Sequence, residues 1–302
     1  MAPVIEATNL MKAYETVRAV DEVSFRVEPG ECYGLLGPNG AGKTSVIRMT
    51  YGFSPLSAGS MKVFGLDIRT DWRRIRSRIG VCQQDNTLDP DLGVEENLLL
   101  FAGYFSMAGA RARARSDELL SFFALGRKRK AKVMELSGGL IRRLMVARSL
   151  INEPDLVILD EPTTGLDPQS RHLLWDRLTD LRKAGVTLVL TTHYMEEASH
   201  LCDRLMILDH GRILVEGTPA SLVKQYAGES VIEVEGKDEA LRDYLVRENV
   251  SHDVLDSQRV VIYAGEDVGE AIRSRFCTER CTFRAGTLED VFLRLTGREL
   301  RE

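Results

Sequence analysis

No stretch of this 302-residue sequence is apolar for long enough to cross a bilayer. The longest uncharged, apolar-leaning run, Leu98 to Ala110, falls short of the ~20 residues that a spanning helix needs. The opening MAPVIEATNL lacks both the basic end and the apolar core of a secretory signal. These two absences predict a protein that works in the cytoplasm, or on a membrane only through a partner. An excess of positive charge is missing as well: the net charge is −5, which argues against general nucleic-acid binding. Cysteine is scarce and odd in number (Cys32, Cys82, Cys202, Cys277, Cys281), mostly in strand-like apolar context, which suits reduced core thiols. Cys277 and Cys281 form the one close pair, and with no second Cys or His cluster we assign no zinc site to them. Internal repeats and low-complexity tracts are absent.

What is present reads as a globular chain, 44% hydrophobic and 28% charged, long enough for one large domain and a smaller one. From residue 4 to about 228, strand-like and helix-like stretches alternate between glycine and proline turns, the pattern of an α/β domain. LVILDEP (156–162) and GVTLVLTTH (185–193) suit strands buried on both faces of a parallel sheet. Between them Leu173, Leu174, Leu178 and Leu181 recur at helical spacing before Gly185. Residues 90–150 carry no strand pattern and predict a helical insertion. Its Arg and Lys cluster (Arg111, Arg113, Arg115, then Arg127 to Lys132) is either a solvated face or a contact for anionic groups. After Gly228 the composition shifts. Residues 229–302 predict a small α+β domain, with SVIEVEG and QRVVIYAG as strands and TLEDVFLRLTG as a helix opened by a Thr-x-x-Asp capping box.

The chemistry is concentrated first in LLGPNGAGKTSVIRM, residues 35–49. Gly37, Gly40 and Gly42 are expected to take backbone angles closed to other residues, turning consecutive N–H groups into an anion-sized nest. Lys43 adds a mobile positive charge and Thr44 a hydroxyl able to bind magnesium. The pattern G-x-x-x-x-G-K-[ST] follows a buried strand (GECYGLLG) and precedes a helix from Ser45, whose N-terminal end is positive; the whole suits a nucleotide polyphosphate. Such a loop is shared by kinases, GTPases and ATPases. Further along, LVILDE ends a buried strand with Asp160 and Glu161; there an Asp can hold magnesium through water and a Glu can polarise the attacking water. His193 follows the next strand, within reach of a γ-phosphate at the same sheet edge.

The stretch ELSGGLIRRLMVARSLINEPDLVILDEPTTGLDP, residues 135–168, resembles the ATP-binding cassette (ABC) family. The phosphate loop, LSGG, ILDEPTTGLDP and TTH stand in that family's order across residues 4–225. The resemblance implies an α/β P-loop fold of ABC type. It implies that Tyr14 stacks on adenine and that Gly37, Pro38, Asn39, Gly40, Ala41, Gly42, Lys43, Thr44 and Ser45 cradle the phosphates of ATP. Thr44, Gln84 and Asp160 would attend Mg2+, with Gln83 competing for the place of Gln84. Glu161 would be the general base, with His193 on the γ-phosphate. Ser137, Gly138 and Gly139 would bind the γ-phosphate held by a second cassette, and Asp167 would bridge the two. One chain carries one cassette, so a homodimer or a heterodimer is implied. Leu140 stands where the family usually has Gln.

Leu140, TTGLDPQSRHLLWDRL and TLEDVFLRLTGREL together look like the bacterial drug-export and nodulation-factor-export cassettes, which serve separate permeases of the type-2 exporter class. The implied function is an ATP-hydrolysing transporter subunit at the cytoplasmic face of the cell membrane. The alternative is a cassette ATPase acting in translation or DNA repair. Those proteins usually carry two cassettes in one chain or a long coiled coil, and neither pattern occurs here. A phosphotransferase would have no use for LSGG.

Overall fold

The computed structural model describes residues 2–228, 230–235, 239–254, 259–264, 266–276 and 281–297. Cys277 of the close cysteine pair and Arg298 to Leu300 of the C-terminal motif lie outside the described residues. The chain forms two compact units, Met1–Val215 and Glu216–Glu302.

The first unit runs β1 (Ile5–Tyr14), β2 (Val17–Val27), β3 (Cys32–Leu36), α1 (Lys43–Thr50), β4 (Ala58–Val63), β5 (Leu66–Asp67), α2 (Trp72–Arg76) and β6 (Ile79–Cys82). Three helices follow, α3 (Val94–Tyr104), α4 (Gly109–Phe122) and α5 (Gly138–Ser149). Then come β7 (Leu156–Asp160), α6 (Pro168–Lys183), β8 (Thr187–Thr192), α7 (Met195–Leu201), β9 (Arg204–Asp209) and β10 (Arg212–Gly217), with the unit boundary inside β10. Six strands form one sheet in the order β10-β9-β3-β8-β7-β6, and β9, β3, β8, β7 and β6 are parallel. Every residue of β3, β7 and β8 is buried, as strands covered on both faces require.

The amino-terminal strands do otherwise. They form a separate antiparallel sheet, β2-β1-β4-β5. Its strands alternate buried and exposed residues because only one face meets the core. That core is continuous from Ile5, Leu10 and Phe25 through Ile47 and Met49 of α1 to Tyr33, Ile158 and Val189 of the parallel sheet, so α1 is gripped between two sheets.

Asp167 caps α6 by accepting from Ser170 N–H (2.9 Å), Pro168 suits its first turn, and Gly185 ends it at φ +90°. Of the apolar positions expected inward, Leu174 and Leu178 are buried, together with Trp175, while Leu173 is 42% exposed. Each buried leucine contributes about 1.5–3 kcal/mol. Between β6 and β7 the described elements are helical.

The second unit comprises α8 (Pro219–Tyr226), β11 (Ser230–Glu235), α9 (Glu239–Arg247), β12 (Ser251–Val254), β13 (Arg259–Ala264), α10 (Glu266–Arg275), β14 (Cys281–Ala285) and α11 (Leu288–Thr296). Its antiparallel sheet has the order β12-β13-β11-β14. Leu241, Leu245 and Ile272 of the helices pack with Ile232, Val234, Val260 and Ile262. The Thr287–Asp290 capping box is formed, and Arg284 joins Asp290 (2.7 Å) to Glu233 (2.8 Å). The division falls before α8 rather than at 228 because α8 belongs to this packing. Arg294 of α11 donates to the Tyr226 carbonyl, and a Cβ at Gly286 would meet Ala227 and Val223 at 3.1 and 3.2 Å.

Candidate active site

Four segments meet at the carboxyl ends of the parallel strands: the 37–42 loop after β3, Gln83 and Gln84 after β6, Glu161 after β7 and His193 after β8. In open α/β sheets this is the edge where ligands bind. Gly40 and Gly42 take the left-handed angles expected of them, φ +83° and +104°. Gly37 does not; glycine is needed there for space, because a Cβ would lie 2.3 Å from the Leu208 carbonyl oxygen. At Gly42, which caps α1, both reasons apply, since a Cβ would stand 2.3 Å from the Ala19 oxygen. Pro38, Asn39 and Ala41 complete the loop, Ala41 donating from its N–H to the Pro38 oxygen (3.1 Å). Lys43, 5% exposed, donates to the carbonyls of Gly37 (2.7 Å) and Pro38 (3.1 Å), and its Nζ is 3.6 Å from Glu161.

The two adjacent acids have different surroundings. Asp160 accepts from Thr191 (2.6 Å) and Thr44 (3.3 Å), yet burial dominates and pushes its carboxyl above the ordinary range. Glu161 is held below that range, chiefly by His193 facing it at 3.3 Å, with Lys43 adding to the effect against the opposing effect of burial. Gln84 and Thr164 also donate to it, each at 3.1 Å. The backbone of Glu161 is left-handed (φ +47°), pinned by its N–H bonds to the Thr191 carbonyl (3.1 Å) and hydroxyl (3.0 Å). Paired acids pushed apart in this way divide into different roles. Of the two glutamines, the side chain of Gln84 reaches Glu161, whereas that of Gln83 faces Tyr51.

Tyr14 is 43% exposed, its hydroxyl directed at Ser54 (3.4 Å) and Ser45. Lys12 covers one face of its ring at 4.8 Å, and the hydroxyl end of the half-exposed aromatic lies beside Ser45. Ser137 precedes α5, whose first residues are Gly138 and Gly139. Ser137 is exposed and makes no capping bond, and a Cβ at Gly139 would strike Ser170 of α6 at 2.6 Å. Asp167 is exposed at the start of α6, its carboxyl lowered by the bond to Ser170.

The sequence did not disclose several supporting residues. Thr191 bridges both acids, and its signal lay in the TTH motif. Thr163 donates to Glu197 (2.8 Å), which also accepts the indole N–H of Trp175 (3.1 Å); no pattern marked that buried network. Arg142 donates to five backbone carbonyls around the site.

A phosphate-binding loop, two differently tuned acids and a facing histidine on parallel strand ends define a P-loop nucleotide triphosphatase. An ABC transporter family profile matches residues 20–164. The chain is 47% identical, across 99% of its length and 98% of the relative's, to the Nod factor export ATP-binding protein I of Paraburkholderia xenovorans (strain LB400). With the Rhizobium etli (strain CFN 42) protein of the same name identity is 44% over 99% of this chain and 95% of that one. Among solved structures, a dimeric ATP-binding cassette in a post-hydrolysis state with ADP and Pi matches at TM-score 0.66 and 26% identity, covering 71% of this chain and 98% of that one. An ATP-binding subunit of an ABC transporter matches at 0.67 and 29%, covering 74% and 94%. The chain therefore belongs to the ABC transporter family as an ATP-hydrolysing cassette.

Proposed function

We propose that this cassette powers export through a separate membrane permease of the type-2 exporter class, working at the cytoplasmic face of the membrane as a homodimer or a heterodimer. Among the described residues no helix is long and apolar enough to cross a membrane, so the cargo path would belong to the partner. The names of the relatives support export over a role in translation or repair.

The observation that carries the reading is the convergence of Lys43, Gln84 and His193 on Glu161, together with the exposure of Ser137 and Asp167 at the starts of two helices. Lys43, Asp160, Glu161, Gln84 and His193 converge, while Ser137, Gly138 and Asp167 are exposed at the starts of α5 and α6 and Gly139 is buried against Ser170. ATP seated on residues 37–45, its adenine against Tyr14, would complete its shell with Ser137 and the α5 N–H groups of a second cassette. Thr44 and Asp160 converge to 3.3 Å as hard oxygen donors, and among the described residues no cluster of three His, Cys, Asp or Glu competes with them. That fits Mg2+ shared with phosphate oxygens, with Gln84 beside it. When bound, the ion would neutralise phosphate charge. Glu161, ionised by its surroundings, accepts the proton of the attacking water; Lys43 and His193 face the charge that develops. The second unit carries no catalytic motif among its described residues and fits a regulatory or dimer-contact role.

The test is reconstitution with the partner permease in vesicles. ATP-dependent export that Lys43→Ala abolishes is expected; ATP turnover unaffected by any permease, with no export, would refute the role.

A further inference from the structure

Arg142 lies in the second turn of α5 and is 6% exposed. It has no carboxylate partner among the described residues. Its guanidinium instead meets five carbonyl oxygens with its five N–H donors: Nε to Pro162 (2.7 Å), Nη1 to Gln83 (2.8 Å) and Gln84 (3.0 Å), Nη2 to Asp160 (2.7 Å) and Glu161. A buried guanidinium without a counter-ion is costly unless all its donors are satisfied. Here the acceptors come from two backbone runs alone, 83–84 and 160–162. Those runs carry the amide and the carboxylate that touch at 3.1 Å, and Glu161 holds its left-handed φ between the Thr191 bonds and this clasp.

We propose that Arg142 is a positioning residue for hydrolysis. It fixes the Gln84 loop and the Glu161 turn to α5, the helix whose first residues face the second cassette's nucleotide, so that the stance of α5 sets the aim of the water-activating carboxylate. The proposal rests on the roles assigned above to Glu161 and Gln84. The planar fork is required: a lysine ammonium offers three donors from one atom and cannot span both runs.

The experiment compares Arg142→Lys, Arg142→Ala and Glu161→Gln for steady-state ATPase, nucleotide affinity of the monomer and thermal unfolding. Arg142→Lys should lower kcat about 10- to 100-fold, the effect of misaiming a catalytic group by an ångström or so, and leave KM and nucleotide Kd within about threefold. Guanidinium chloride at millimolar, non-denaturing levels should restore part of the kcat of Arg142→Ala in a saturable way and do nothing for Glu161→Gln. Should Arg142→Ala not fold, the kcat against KM split of Arg142→Lys decides. Wild-type kcat in the Lys variant overturns the proposal, as does a fall that tracks lost folded protein without a guanidinium response. If Glu161→Gln is slow while the Arg142 variants are fully active, the site assignment stands and this proposal alone falls. If Glu161→Gln hydrolyses at the wild-type rate, the assignment itself is wrong.

Discussion

Glu161→Gln separates binding from chemistry. The side chain touches Lys43 at 3.6 Å, His193 at 3.3 Å, and Gln84 and Thr164 at 3.1 Å each. An amide oxygen can still accept from one or two of these, but the group cannot take a proton from water. A general base is worth roughly 10²–10⁴ in rate, about 2.7–5.4 kcal/mol of barrier. Stability should move far less. The Lys43 pair loses a Coulomb attraction of about 4–5 kcal/mol at an effective dielectric of ~20, against which stand relief of repulsion from Asp160 and of the burial cost of the charge. We expect Tm to change by less than about 3 °C. With hydrolysis blocked, ATP gripped by Lys43 of one chain and Ser137 of the other should hold a long-lived dimer. Size-exclusion chromatography with ATP and magnesium, with ADP as control, and with and without the permease, reads it directly. Hydrolysis at the wild-type rate would remove Glu161 from its role, and a slow variant that dimerises in neither setting would refute the two-chain site.

Lys43→Ala should abolish hydrolysis; more than a tenth of wild-type turnover in the purified variant contradicts the phosphate role of Lys43. Ser137→Arg should lose ATPase but keep monomer nucleotide affinity, measured by titration, and an affinity loss as large as that of Lys43→Ala would put Ser137 in its own chain's pocket. Gly42→Ala, forced against the Ala19 carbonyl at 2.3 Å and φ +104°, should fail to bind nucleotide, and normal binding would show the loop to be pliant. Glu197 is fully buried and its carboxyl is raised mainly by that burial, although Thr192, Thr163 and Trp175 bond to it. Wild-type stability is therefore lost as pH rises from the ordinary Glu value through the raised one, a loss that Glu197→Gln escapes. The Tm difference should move in that variant's favour as pH rises above the ordinary Glu range, and a pH-independent difference would contradict the assignment.

The motifs were legible because each joins a backbone context to a chemical need: a strand end plus a Gly-rich loop, a strand end plus two acids. What neighbours decide was not. Gln83 and Gln84 look alike in sequence, and only their directions, toward Tyr51 and toward Glu161, distinguish them. Arg142 went unmarked in sequence, because nothing local announces carbonyls from two distant segments. In the second unit the short edge strands SHDV and CTFRA escaped notice, lacking the apolar runs of β11 and β13. The need for Gly37 was foreseen for the wrong reason, since a clash with Leu208 is tertiary and invisible to turn chemistry.

The chain holds two tryptophans, and their settings give it a built-in optical gauge. Trp72 has the guanidinium groups of Arg73 and Arg76 over its ring, at 4.9 and 4.7 Å. Trp175 is sealed from water, its indole tied to Glu197 on the helix that follows His193, and Glu197 is tied in turn to Thr163, two residues beyond Glu161. Substituting Trp72 by Phe leaves a single tryptophan on that link. If turnover at the strand ends displaces Thr163, the emission of Trp175 is expected to shift on adding ATP and magnesium, with no dye attached.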